Sequence, residues 1–188
     1  MTAMTPEIFR DSLAAAKTGD ETAFTVLFRF AQPAVLRYLR VISGGRAEDL
    51  AGDTWVQVVR GLKSFQADEP NAFRAWVLSI ARHRWLDDQR ARGRRPEIAA
   101  QELPERPSVE DVATAVDDMM STESALALIA RLPPDQAEVV TLRYIADLDV
   151  AATAATLGKE PGAVRVLAHR GLRRLEKMLN DRIRTQQR

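Results

Sequence analysis

Cysteine is absent from this 188-residue chain, so it has no disulfide, no thiolate nucleophile and no cysteine ligand for zinc. Only two histidines occur, His83 and His169, and they lie far apart. No metal site is expected, and no pattern calls for a cofactor. Nor is there an apolar run near the ~18–20 residues that a bilayer-crossing helix needs. The N-terminus lacks the cationic start and unbroken apolar core of a signal peptide. No membrane insertion and a cytoplasmic location are therefore the expectations. No nucleophile–base pair or phosphate-cradling glycine loop stands out, and Asp87 beside Asp88 is too little for metal catalysis, so the chain is not expected to be an enzyme.

The chain also has little net charge, +1, but this hides a pattern. Residues 82–95 carry a balance of +4, residues 96–123 one of −7, and residues 159–188 one of +6. Two basic stretches separated by an acidic one suggest a polyanion contacted at two places.

What is present is helical periodicity in two blocks, roughly 5–92 and 122–180, without strand alternation. Between them, Pro96, Pro104 and Pro107 disfavour helix, and the acidic stretch reads as a flexible linker with one short helix near 109–120. In the first block Asp20 caps a helix over about 21–42 that Gly44 and Gly45 stop. A second helix spans about 46–62, and Asn71 caps a third over about 72–91, where Phe73, Trp76, Val77, Ile80 and Ala81 form one apolar stripe. In the second block a helix ends at Pro133, and Pro134 can open the next one, through "DQAEVVTLRYIAD". A short helix over 150–157, closed by Gly158, leads through "KEP" into a last helix over about 162–179. That is a helix-turn-helix. The expected fold is all-α: two small helical domains, 1–95 and 122–188, joined by the linker over 96–121.

On the last helix, Val164, Leu167, Ala168, Leu172, Leu175 and Leu179 fall on one side. Arg165, Val166, His169, Arg170, Arg173, Arg174 and Lys177 take the other side and its flanks. The apolar side suits packing; the cationic side suits phosphates, with the N-terminal half in a DNA major groove. A solvated cationic face remains the plain alternative.

Four segments in order carry a resemblance: "GDETAFTVLFRFAQPAVLRYLR" (19–40), "RAEDLAGDTWVQVVRGLKSF" (46–65), "FRAWVLSIARHRWLDDQRARGRRP" (73–96) and the stretch from "LPPDQAEVV" to "AHRGLRRL" (132–175). Together they resemble the extracytoplasmic-function (ECF) branch of the sigma-70 family of bacterial RNA polymerase sigma factors. The resemblance implies a factor that binds core polymerase, through the largest-subunit clamp helices and the flap, and directs it to promoter DNA. It implies that Glu48, Asp49 and Asp53 dock on the polymerase. Carboxylates along a helix face suit an arginine-rich partner, although Glu48 and Asp49 would also favour a helix N-terminus on their own.

The third segment resembles the −10 reader and melting helix, which implicates Lys63, Phe65, Arg74, Arg82, His83 and Arg84, with Trp85 as a further planar group. Trp76 fits the core better than a stacking role, and His83 also fits a plain surface position. The second block resembles the −35 reader, implicating Lys159, Glu160, Gly162, Ala163, Arg165, Val166, His169, Arg170, Arg173 and Arg174. Arg165 suits guanine and Glu160 suits cytosine. Many relatives carry a serine-arginine pair where this chain has Val166 and Leu167, so the preferred −35 sequence is not implied. An anti-sigma partner is implied by the family habit of sequestration. A stand-alone helix-turn-helix regulator and a helical adaptor with no nucleic-acid role remain the rival readings of the residues alone.

Overall fold

Several helix starts have a local cause. A computed structural model of the chain describes residues 4–93 and 122–186 and holds α-helices without a strand among them. The expected linker with its short helix, and Arg94 and Arg95, lie outside the described residues. Helix α1, Pro6–Lys17, begins where the Thr5 hydroxyl accepts from the Ile8 amide. Helix α2, Glu21–Ser43, begins where an Asp20 carboxylate oxygen accepts from the Ala23 amide at 2.9 Å, as the sequence predicts. A 3₁₀ turn over Gly44–Arg46 passes into α3, Ala47–Gly61, and a second over Leu62–Ser64 ends it. Helix α4 runs over Pro70–Gly93. Asn71 therefore sits inside its first turn and is not the cap expected from the sequence. Proline at the opening position loses no useful donor there.

In the second block, Pro133 lies between α5 (Thr122–Ala130) and α6 (Pro134–Val140), with Pro134 in the first turn of α6 as expected. The run expected as one helix through "DQAEVVTLRYIAD" instead widens into a π turn over Thr141–Ile145. There the Ala146 amide reaches back to the Thr141 carbonyl at 2.9 Å. Asp149 caps α7, Val150–Leu157, by accepting from the Ala152 amide at 2.7 Å. Gly158 closes α7 at φ 63°, a left-handed conformation that a side chain would disfavour. Helix α8 then runs over Pro161–Gln186, well past the expected end near 179.

The aromatic centre of the first block is Phe9, Phe65, Phe73 and Trp76, with neighbouring ring centroids 4.9–5.8 Å apart. Trp76 is thus a core residue, as its place in the stripe predicts. Leu78, absent from that stripe, is also fully buried. It faces the other way because α4 has helices on two sides: it packs on α2 and α3, and also on α7 of the second block. The two helical blocks meet directly. Helix α2 touches α5, α6 and the π turn, and one continuous apolar cluster runs from Phe9 and Leu27 to Leu142, Leu148, Leu157 and Val164. A smaller cluster joins Val41 of α2 to Leu126, Ile129, Leu132, Ala137 and Val140.

Candidate nucleic-acid interface

Helix α8 presents the clearest outward face. Val164 and Ala168 are buried against the second block, and Leu167 is half-buried. Gly171 lies where a Cβ would come within 2.6 Å of Val140 Cγ2, so only a glycine lets α8 approach α6 so closely. Arg165, Val166, His169, Arg170, Arg173, Arg174 and Lys177 are all exposed. Leu172 departs from its expected inward place and is 41% exposed. The contact at Gly171 holds one line of α8 against α6, and Leu172 is turned beyond it.

At the start of α8, Glu160, Gly162 and Ala163 are exposed around a shallow depression that Val166, Leu167 and Arg170 also line. Lys159 reaches it too, but its ammonium lies 3.3 Å from the Asp135 carboxylate of α6. The short α7, the left-handed glycine and the outward α8 complete the helix-turn-helix.

The cations of α4 have different surroundings. Arg82 donates through Nε to Glu138 Oε1 at 3.1 Å, and Glu138 is 5% exposed. The Tyr38 hydroxyl donates to the same oxygen at 2.8 Å. Arg74 donates to the Ala146 carbonyl at 3.0 Å and lies over the Phe30 ring, 4.6 Å from its centroid. Burial lowers the pKa of its guanidinium, and the Asp147 carboxylate acts against that shift.

His83 is exposed. Its Nδ1 stands 2.7 Å from the Ser79 carbonyl, which can only accept, so Nδ1 carries the proton and Nε2 of the neutral ring is an acceptor. Arg84 pairs with Asp87 at 2.8 Å, and Asp87 also meets Arg90 at 3.2 Å. Asp88 is held by Arg46 and faces Arg92. The aspartate pair thus serves arginines. Lys63 is exposed on its turn, whereas Phe65 is 8% exposed and its ring belongs to the aromatic core. Trp85 is half-buried against the large apolar cluster.

Helix α3 carries a third surface. Ala47, Leu50, Ala51, Thr54, Trp55 and Val58 fill its buried side. Glu48, Asp49 and Asp53 point outward, and the Arg40 guanidinium 3.1 Å from Glu48 holds that carboxyl below its ordinary pKa. Val56 and Val59 join the outer face at 50% and 56% exposure. Sequence reasoning missed them. The signal was available: the buried stripe was already full, which leaves two valines without a place in the core.

Among the described residues no helix is long and apolar enough to cross a membrane, and no cluster of three or more acidic or histidine side chains could hold a metal ion. The sigma-70 region 2 family model matches residues 27–95, and the sigma-70 region 4 model matches residues 122–175. The chain is 36% identical over 172 residues to the ECF RNA polymerase sigma factor ShbA of Streptomyces griseus, covering 85% of this chain and 89% of that one. It is 33% identical over 174 residues to SigD of Mycobacterium tuberculosis, covering 87% and 80%. BldN of Streptomyces coelicolor, also 33% identical, is longer, and the chain spans 64% of its length.

Among solved structures, RpoE of Bartonella quintana, in complex with the anti-sigma factor NepR, is similar with a TM-score of 0.70 at 22% identity, covering 84% of this chain and 96% of that one. CnrH in complex with the cytosolic domain of CnrY gives 0.64 at 24%, covering 93% and 98%. At those identities the likeness is one of fold. Two family models in the order of the two helical blocks, and similarity to ShbA and SigD over at least four-fifths of each chain, place the chain: it belongs to the ECF RNA polymerase sigma factors of the sigma-70 family.

Proposed function

We propose that this chain binds core RNA polymerase, directs it to promoters with a particular −35/−10 pair and helps open the duplex there. Residues 1–95 act as the region 2 unit, residues 122–188 as the region 4 unit, and 96–121 connect them. The observation that carries this reading is the outer face of α8, where Arg165, Val166, His169, Arg170, Arg173 and Arg174 are all exposed behind a glycine turn. Arg165 and Val166 lie in the second turn, where a recognition helix meets base edges, and Arg173 and Arg174 follow two turns later at phosphate height. Glu160, Gly162 and Ala163 bring the helix start close to the groove, and Lys159 contributes charge once it leaves Asp135.

Helix α4 reads the −10 element in this proposal. His83, with an outward acceptor, addresses a base, while Arg74, Arg82, Arg84 and Lys63 address the backbone. Phe65 acts through its support of Trp76 and the preceding turn, because its own ring is enclosed. Helix α3 docks on the clamp helices of the largest subunit: Asp49, Asp53 and Glu48 supply carboxylates for arginines, and Val56 and Val59 supply apolar contact. The second block meets the flap. The chain supplies positioning and base capture, and the polymerase supplies all chemistry, so it is no enzyme by itself. It works in the cytoplasm, and an anti-sigma factor of the kind bound to the similar RpoE would sequester it.

Run-off transcription on a promoter library, with core polymerase alone and with this chain added, tests the proposal. Transcripts from a defined subset of promoters are expected only when the chain is present. Tight, specific duplex binding without polymerase, combined with no transcripts, would instead make it a stand-alone regulator.

A further inference from the structure

The outer face of α8 is cationic, yet the residue at its midline is apolar. At about 100° per residue, Val166 lies about 160° round the helix from both Val164 and Ala168, the residues buried against the second block. Val166 therefore points directly away from the core, and it is 49% exposed. Arg165 stands about 100° to one side, whereas Gly162, His169, Arg170 and Arg173 lie nearer the midline.

Single apolar residues on a surface are ordinary. Val166 differs in its place, at the centre of the face that carries the arginines. Gly162 and Ala163, one turn earlier, leave a shallow depression beside it, and nothing lies within 4 Å of where a Cβ on Gly162 would stand. A groove floor can come down on Val166 from that side without meeting a larger side chain.

We infer, on the assignment of α8 to the −35 element, that Val166 is the specificity residue at the centre of that contact. It packs on the C5-methyl of a thymine, so the base pair beneath the midline of α8 is A·T. In the major groove guanine presents two acceptors, cytosine an amino donor and adenine one of each; thymine alone adds a methyl group. Valine can neither donate nor accept. Pressed on a polar edge, it displaces water and supplies no hydrogen bond in return, which is unfavourable. Pressed on a methyl, it removes apolar surface from water on both partners. Its branched side chain strongly prefers one rotamer in a helix, so its own methyls are placed before contact. Arg165 and Arg170 are long enough to reach phosphates or neighbouring base edges from the flanks. The short valine touches only what lies directly opposite it.

Deoxyuridine in place of thymine removes that methyl and leaves the base pair intact. On a promoter taken from the transcription library, each thymine of the −35 element, in both strands, is replaced singly by deoxyuridine. Binding of the chain–polymerase complex is then measured in competition with the unmodified duplex. One position should weaken by about threefold to fivefold, the worth of burying one methyl group. Val166→Ala should weaken the unmodified promoter by at least as much and become indifferent to deoxyuridine at that position. Alanine is the better helix former and position 166 is half-exposed, so the fold stands. Arg165→Ala should keep the deoxyuridine penalty. Cytosine and 5-methylcytosine at the same position, each opposite guanine, should differ in the same direction, with the methylated base bound better.

Two results would overturn the assignment: no thymine whose methyl matters to the unaltered chain, or a Val166→Ala variant that keeps the full deoxyuridine penalty. Val166→Ala weakening every template alike, modified or not, would place the valine on a protein surface and overturn it too. Transcription without methyl dependence sinks this assignment alone. No transcription by the unaltered chain from any unmodified promoter sinks the sigma reading and this assignment with it.

Discussion

Helices α4 and α8 both carry a cationic row opposite an apolar stripe, and the two rows meet different surroundings. On α8 the arginines from Arg165 to Arg174 face water. On α4, Arg82 and Arg74 are engaged by the second block, Arg84 by Asp87, and His83 stays outside. Amphipathic spacing tells which side of a helix is polar. It does not tell whether that side faces solvent, a ligand or another part of the same chain. For α4 the third case holds, because Glu138, 56 residues beyond Arg82, supplies the counter-charge.

The largest effect expected from this contrast is on stability. Arg82→Ala removes the guanidinium from a carboxylate that stays buried with only Tyr38 as donor. Stripping one partner from a buried pair costs about 3–5 kcal/mol, and the partial exposure of Arg82 lowers the expected loss to about 2–3 kcal/mol. Arg173→Ala, on an exposed face, should change stability by less than about 0.5 kcal/mol. Urea unfolding of both variants measures this, and equal values would erase the distinction between the two rows.

A second contrast lies within α8. At Gly171 an added Cβ meets Val140 at 2.6 Å, whereas at Gly162 nothing lies within 4 Å. Gly171→Ala should destabilise the second block by about 1–3 kcal/mol through forced separation of α6 and α8. Gly162→Ala should be neutral or slightly stabilising in thermal unfolding, since alanine is the better helix former. A comparable loss at both sites would mean that α8 is not pinned along that line.

A third contrast concerns DNA. Arg165→Ala should cost about 1–3 kcal/mol at one −35 position and relax preference there, while Arg173→Ala should weaken all promoters alike and lower the salt slope by about one. Footprinting of the polymerase complex over a range of salt separates them. Uniform loss for both would move Arg165 from base to backbone contact.

The architecture was largely legible in the residues. Asp20, Pro134 and Gly158 each mark a helix end by a local mechanism, and each acts where expected. Local chemistry carries such signals because a cap is satisfied within four residues. Asn71 misled because the helix already opens at Pro70, which puts Asn71 inside its first turn instead of ahead of it. Leu172 and the valines Val56 and Val59 misled for a different reason. The core a helix packs against is narrower than its apolar residues suggest, and which apolar residues are left outside depends on partners distant in sequence. Glu138 was illegible for the same reason. Alone it reads as one charge in an amphipathic helix, and only the packed blocks bring it to Tyr38 and Arg82.

The smallest effect sharpens the comparison from the acceptor's side. Tyr38 is fully enclosed, and its hydroxyl pKa stands well above the ordinary value, chiefly from burial and next from the Glu138 carboxylate, with Arg82 acting in the opposite direction. A group whose pKa is raised on folding holds its proton in the native state after the unfolded chain has lost it. The stabilisation is complete below the unfolded value of about 10 and is lost progressively as pH rises above it, by up to about 1.4 kcal/mol per pH unit. Tyr38→Phe cannot lose that proton. Between pH 9 and pH 11 the unaltered chain should therefore lose more stability than the variant, by about 1 kcal/mol in paired denaturant titrations. The two chains differ at this one hydroxyl alone, so the difference between their curves isolates it. If the two chains fall together, the hydroxyl is not sealed beneath the second block, and the surroundings of α4 resemble those of α8 more closely than the geometry at Glu138 requires.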